Sequence, residues 1–382
     1  MSAPGTDRWY AVENADEIAS PALLVWPDRV QHNIDVMIAQ TGGDPARLRP
    51  HVKTHKLGEV VRMQRESGID KFKCATVAEA EMCAQAGAGD VLLAYQPVGP
   101  NIGRMLELSR KYPDTSFAAL VDDAENLDRI AAVFSAAGAS LRVFADIDCG
   151  MGRTGIAPGD AAVALCRRAV DTAGVDFAGL HVYDGHIHDP DVKKRGERFE
   201  AALGLVAPFL ARLDEAGVSV PLIVGGGSPT FPWHAEAIGR FGTIPYECSP
   251  GTTLLWDAGY TTKHPDLDFA VADVLLARII SKPGENRLCV DLGHKAVSGE
   301  NPIENRVRFP DLPDARPVMQ SEEHLVLETP EASRFAVGDV LYGVPWHVCP
   351  TVALHQEAVV IRDGRATGER WKISARDRRI TV

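Results

Sequence analysis

The 382-residue chain is short of several things. No stretch approaches the ~18 consecutive apolar residues of a membrane-spanning helix, so none is expected. Positive charge is scarce beside negative: 40 Lys and Arg stand against 52 Asp and Glu, a formal net charge of −12. That balance disfavours nucleic acid and anionic membrane surfaces as partners. Cysteine patterning is missing too. Seven cysteines, an odd number, are scattered at Cys74, Cys83, Cys149, Cys166, Cys248, Cys289 and Cys349, with no C-x-x-C pair. Such thiols fit a reducing cytoplasm better than a disulfide framework. The opening Met1-Ser2-Ala3-Pro4-Gly5 has no basic segment leading into an apolar core, so no signal peptide is expected and the cytoplasm is the default location. There is no internal repeat, low-complexity tract or long charged run. What is present is an ordinary globular composition, 45% hydrophobic and 24% charged, at a length that accommodates one large barrel and an addition.

The first organised stretch is an apolar run of strand length at 22–26. From Pro27 a helical spacing at Val30, Ile34, Met37 and Ile38 continues to the stop at Gly42-Gly43. A rhythm then begins. Apolar runs recur at 47–54, 71–76, 90–95, 116–121, 141–147, 176–183, 222–226 and 243–248. Helical patterns lie between most of them, as at 77–86, 123–137, 160–173 and 193–216. Strand–helix alternation predicts parallel strands with crossover helices, and eight of them favour a closed (β/α)8 TIM-type barrel over an open doubly wound sheet. From about residue 265 the runs at 274–280, 287–291, 324–327 and 358–361 follow one another with turn signals and no convincing helices between them. This predicts an α/β chain with a C-terminal all-β domain. The expected division is an extension over 1–20 that can pack with the β domain, a barrel over 21–264, and the β domain over 265–382.

The stretch 49–56, Arg-Pro-His-Val-Lys-Thr-His-Lys, puts His51, Lys53, His55 and Lys56 at the end of the first barrel strand. Strand alternation places His51, Lys53 and His55 on one face and Val52 and Thr54 on the other. Desolvation beside neighbouring positive charge lowers a lysine pKa, which an imine-forming lysine needs; the competing reading is a solvated basic loop. Lys56 falls on the other face and reads as solvated. The other strand ends gather polar groups where barrels build their active sites. They carry Ala75-Thr76, Tyr95-Gln96, Asp146 and Asp148 with the loop bearing Arg153, then His181, Tyr183, Asp184, His186 and His188. Asp146 and Asp148 read as loop-ordering partners of Arg153 or of backbone amides, not as metal ligands.

Two further groupings carry chemistry. Gly225-Gly226-Gly227-Ser228 follows the seventh strand and Ser249-Pro250-Gly251-Thr252-Thr253 the eighth. Glycines free backbone N–H groups to approach a phosphate, and this is where such barrels bind one, although GGGS is also a common flexible turn. A phosphate cup together with an imine lysine suggests pyridoxal 5′-phosphate. In the β domain, His347 and Cys349 are two apart, so on an extended segment they share a side and can share a metal ion; a lone His-x-Cys pair is more often structural.

Together RPHVKTHK, DIDCGMGRTG, the tyrosine of GLHVYDGH, VGGGS, SPGTT and PWHVCPT resemble the fold-type III pyridoxal-phosphate enzymes. The nearest branch is the metal-activated D-threonine aldolase and D-serine dehydratase group, on the alanine racemase-like barrel. The motifs run from about residue 20 to the C-terminus. The resemblance implies Lys53 as the cofactor lysine, Arg153 at the cofactor's phenolic oxygen and Tyr183 near the cofactor and its phosphate. It implies Gly227, Ser228, Gly251 and Thr252 as phosphate-binding positions, and His347 with Cys349 as ligands of a divalent metal (Mn, Mg or Zn). It also implies a homodimer in which one β domain closes the other barrel mouth.

The reaction this implies is cleavage of a small D-β-hydroxy-α-amino acid to glycine and an aldehyde. His55 or a metal-bound water would take the hydroxyl proton, and His51 is either catalytic or a structural hydrogen-bonder. The H-x-C pair resembles the D-serine and 3-hydroxy-D-aspartate dehydratases, while Pro350-Thr351 and the tail at 371–376 resemble the aldolases, so dehydration is the alternative. A racemase gives no reason for the metal pair, and a non-catalytic cofactor carrier gives none for the β domain.

Overall fold

The computed structural model describes residues 8–382. The chain falls into two compact units. One consists of Ile34–Thr253 with Asp377–Val382, the other of Leu254–Arg376 with the residues up to Asn33.

In the first unit, parallel strands follow one another in chain order: Lys71–Cys74, Asp90–Leu93, Ser116–Val121, Leu141–Ile147, Val175–Val182, Ile223–Gly225 and Tyr246–Cys248. Residues 48–52 close the ring, because Leu48 bridges Cys248 on one side and His51 bridges Lys73 on the other, both in parallel. The closing bonds run from Arg49 N–H to the Cys248 carbonyl at 2.8 Å, and from Val52 N–H to the Lys73 carbonyl at 2.9 Å. The result is the expected (β/α)8 barrel.

Side-chain caps start several of the crossover helices: Thr76 Oγ1 accepts the Glu79 N–H at 3.0 Å, and Asp123 Oδ1 that of Asn126 at 2.7 Å. The helix expected over 193–216 is two, Val192–Leu203 and Val206–Glu215, parted at Gly204. Leu92, Ala118, Leu120, Phe144 and Val224 fill the barrel as one buried cluster, the larger of them contributing about 1.5–3 kcal/mol each. Arg49, fully buried, joins Asp90 and Glu247, both at 2.6 Å, and Arg142 reaches Asp90 at 2.7 Å. This ion cluster pins the 48–52 segment to the strands it bridges.

The second unit is built on a mixed sheet. The expectation that the barrel begins at residue 21 is replaced here by a different partnership. Strand Ala22–Val25 pairs antiparallel with Asp273–Gly284 and parallel with Glu357–Arg362. All four of its residues are buried, and an all-apolar central strand looks the same in any sheet. The boundary at 264/265 also moves, to within the turn Thr252–Leu254, and the unit carries short helices at Ala258–Lys263 and Val348–Val352 besides its strands.

Of the extension expected over 1–20, residues 1–7 lie outside the described residues. Tyr10, Val12 and Ile18 pack with Leu24, Val274, Tyr342 and Trp346 in one buried cluster of this unit. All seven cysteines are free thiols. Among the described residues no helix is long and apolar enough to cross a membrane.

Candidate active site

The barrel contains a cavity of about 240 Å³, lined by His51, Lys53, Lys73, Tyr95, Asp146, Asp148, Arg153, His181 and Tyr183 among others. Strand alternation alone does not produce this lining. The first-strand segment makes its last bridge at His51, and residues 52–55 form a turn that leaves Lys56 at φ 53°. His51 and Lys53 face the cavity as expected. His55 does not: it is absent from the lining, fully buried, and its Nδ1 accepts the Leu57 N–H at 3.1 Å. Burial beside Lys56 pushes it down to about 3, so it is neutral. The role of proton acceptor expected for His55 is therefore corrected to a structural one, the turn having carried its ring out of register. Lys56, expected to be solvated, is instead mostly buried and ion-paired with Glu79.

His51 is also neutral, because burial and then the charges of Lys73 and Lys53 hold it well below its ordinary value. Its Nδ1 accepts the Lys53 backbone N–H at 3.3 Å, which leaves the ring hydrogen on Nε2.

The loop that carries Arg153 is shaped by Asp148, whose Oδ1 accepts the N–H groups of Gly150, Met151 and Gly152 at 2.9–3.1 Å. Gly155, at φ +97°, closes the loop; a Cβ there would stand 2.9 Å from Asp148 N. Asp146 makes different contacts from those expected. It accepts from Thr154 Oγ1 at 3.0 Å and from His181 Nδ1 at 2.7 Å. Its carboxyl stays below the usual range: burial, the largest single effect, opposes this, but the His181 bond and charge, the Thr154 bond and the Lys73 charge together outweigh it. Arg153 lies 5.1 Å from the Tyr183 ring centre, and the His181 ring runs nearly parallel to that of Tyr183.

Ser228, Gly251 and Thr252 come together. The N–H groups of Gly251 and Thr252 both point at Ser228 Oγ, each at 3.1 Å. Two backbone donors converging on one oxygen are the geometry that an anionic oxygen also satisfies. Gly251 lies close against His51: a Cβ there would stand 3.0 Å from His51 Cβ and 3.1 Å from His51 O, so a larger residue would require His51 to shift. Gly227 passes within 3.1 Å of Asp184 Oδ1 by the same measure. Asp184 is held by His234 Nε2 at 3.0 Å, and His234 Nδ1 by the Tyr246 hydroxyl at 2.5 Å. An amine, a guanidinium and a two-donor oxygen cradle in one barrel fit a phosphorylated aldehyde cofactor. The cradle residues are not part of the cavity lining itself.

Lys73 is the cavity residue that sequence reasoning did not single out. It is fully buried, and burial followed by the Lys53 charge brings it down to about 7. A signal was there to find: a lysine inside the apolar run Phe72-Lys73-Cys74, where a core side chain belongs.

In the other unit, His347 and Cys349 interact, though not on an extended segment: His347 caps the short helix on which Cys349 sits. Burial works against a charged His347 ring, but Cys349 and Glu300 hold it up at about 9. A proton shared by an imidazole and a thiol is what a divalent ion displaces. Among the described residues no group of three or more His, Cys, Asp or Glu is arranged to hold a metal. The pair can therefore supply two ligands.

The chain matches the family described as "Alanine racemase, N-terminal domain" over residues 25–250 and "Putative serine dehydratase domain" over residues 272–361. It is 30% identical to a D-threonine aldolase of Arthrobacter sp., over 94% of this chain and 93% of the relative. It resembles the solved structure of D-threonine aldolase from Filomicrobium marinum at 28% identity and a TM-score of 0.86, covering 96% of this chain and 97% of the other. For the D-threo-3-hydroxyaspartate dehydratase of Delftia sp. the values are 25% and 0.78, covering 93% and 97%.

Proposed function

The chain belongs to the alanine racemase N-terminal domain family, and from that premise we propose that it is a pyridoxal phosphate-dependent D-threonine aldolase-type lyase. Its substrates would be small D-β-hydroxy-α-amino acids, cleaved to glycine and an aldehyde. The observation that carries this reading is Lys53 and Arg153 in one cavity of a barrel that also holds the Ser228 cradle, in a chain similar along its length to a D-threonine aldolase.

When bound, the cofactor supplies an electron sink for the pair left by a bond broken at the substrate α-carbon. The protein's part is binding and orientation. Lys53 provides the amine that holds the cofactor aldehyde, and Arg153 and Tyr183 fix the ring. The N–H groups of Gly251 and Thr252, with Gly227 and the Ser228 hydroxyl, hold the phosphate. His51 is a neutral donor beside Lys53. A divalent ion (Mn, Mg or Zn) on His347 and Cys349 would polarise a hydroxyl and lower its pKa. The reading includes a homodimer, which light scattering on the eluted protein tests, and a cytoplasmic location, which suits seven free thiols.

Dehydration by the same groups is the second reading, favoured by Cys349 as the second ligand of the pair and by the likeness to the Delftia dehydratase. Incubation with D-threonine and D-serine separates the two. Glycine with acetaldehyde supports the aldolase; ammonia with a keto acid would replace it by the dehydratase.

A further inference from the structure

Two lysines line the barrel cavity, and the proposed chemistry uses one of them. Lys73 lies within the Lys71–Cys74 strand, and among the described residues no carboxylate forms an ion pair with it. A buried amine is costly to keep and is not needed for packing, where an aliphatic side chain would serve better. Its polar contact is His181, whose Nε2 is 3.4 Å from Lys73 Nζ. Because His181 Nδ1 donates to Asp146, Nε2 bears the lone pair and the Lys73 amine donates to it. The Asp146–His181 chain thus aims the amine into the cavity, where it lies 5.3 Å from the centre of the Tyr183 ring.

The charged and titratable groups that bear on Lys73 come from three strands around the ring, His51 on the first-strand segment among them. Lys53 and Arg49 act from the first-strand segment, Asp146 from the fifth, and His181 and Asp184 from the sixth. The positive groups and burial oppose a charge on Lys73, while the carboxylates favour one.

We propose that Lys73 is the electrostatic partner of Lys53, a second amine in the same cavity whose charge discourages the Lys53 nitrogen from holding a proton. Coupling between two titrating sites is reciprocal, so what Lys53 does to Lys73 is also done in return. The consequence is a Lys53 nitrogen that gives up its proton more readily whenever Lys73 carries its charge. Lys73 is a positioning residue in this role, since it acts through Lys53. The inference rests on the pyridoxal phosphate reading.

The test follows the visible absorbance of the bound cofactor against pH in the holoenzyme, for wild type, Lys73→Met, Lys73→Gln and Lys73→Arg. Removing the competing amine should raise the midpoint of the Lys53 nitrogen by about one unit in the Met and Gln variants. A permanent charge in the Arg variant should lower it. Midpoints that do not move, or that move the same way in the Met and Arg variants, would overturn the proposal, because loss of a purely structural residue has no reason to respect the sign of the charge. If the buried arginine prevents folding, Met and Gln together still carry the sign. A wild-type protein with no visible band dependent on Lys53 would refute the cofactor reading instead, and so the two failures are distinguishable.

Discussion

Asp146 and His181 are register partners on adjacent barrel strands, and Asp146 Oδ1 meets His181 Nδ1 at 2.7 Å. That one bond sets the imidazole tautomer and therefore which nitrogen faces Lys73. Asp146→Asn keeps the shape but removes the anion that fixes the proton on Nδ1. kcat/KM for D-threonine should fall at least about tenfold, or 1.4 kcal/mol, while the visible absorbance of bound pyridoxal phosphate is retained. Unchanged kinetics would show that the His181 tautomer does not matter to the reaction.

Lys53→Ala should abolish both the visible absorbance of the bound cofactor and the lyase activity. Persistence of that absorbance, read in an ordinary spectrum after gel filtration, would show that another amine holds the cofactor.

Arg49→Met removes the fully buried charge shared by Asp90 and Glu247, leaving Asp90 only Arg142 and Glu247 only Lys71, both more exposed. Burial, the largest single effect, raises the Asp90 carboxyl, and Arg49 and Arg142 together bring it below its ordinary value in the folded protein. Breaking such a cluster costs about 3–5 kcal/mol, and urea unfolding should detect a loss of that order. A stability within about 1 kcal/mol of wild type would mean that the surrounding strands, not the ion cluster, hold the 48–52 segment.

The stability of the protein should decline on mild acidification, and His55 is one reason. Its pKa in the folded state is about 3, against about 6.5 for an exposed histidine. The folded value is depressed, so the stabilisation is complete above about pH 6.5 and is lost as pH falls from there toward 3. His55 is fully buried, and its share is on the order of a few kcal/mol. In a His55→Gln variant the curve of unfolding free energy against pH should be flatter over that window. Parallel curves for the two proteins would assign the acid sensitivity elsewhere.

Exhaustive chelation should remove activity while leaving the cofactor bound, and added divalent ion should restore it. His347→Ala should reproduce the chelated state and resist rescue. Full activity after chelation would remove the metal from the proposed function and bring back a racemase-type reaction.

Much of the barrel was legible from the sequence because each strand is an apolar run set between helical spacings and turn glycines. Those are local patterns, and local patterns survive in one dimension. The strand at 22–25 was legible as a strand but not in its partnership, since four apolar residues carry no label for the sheet they join. The same limit applied to His55. Period-two alternation holds only while the backbone stays extended, and the chain turns directly after His51.

The sequence by itself determined the inventory: an amine between imidazoles, an arginine-bearing glycine loop, two phosphate-type loops and a His-x-Cys pair, each at a strand end or loop. Tertiary structure decided which of these meet. Closing the barrel brought Lys73, His181 and Asp146 from three strands into contact with the cavity of Lys53, and took His55 out of it. The physical reason is that side-chain direction is set by backbone torsion at each residue, whereas proximity between strands is set by register around a closed ring. Neither is written in the spacing of the residues along the chain.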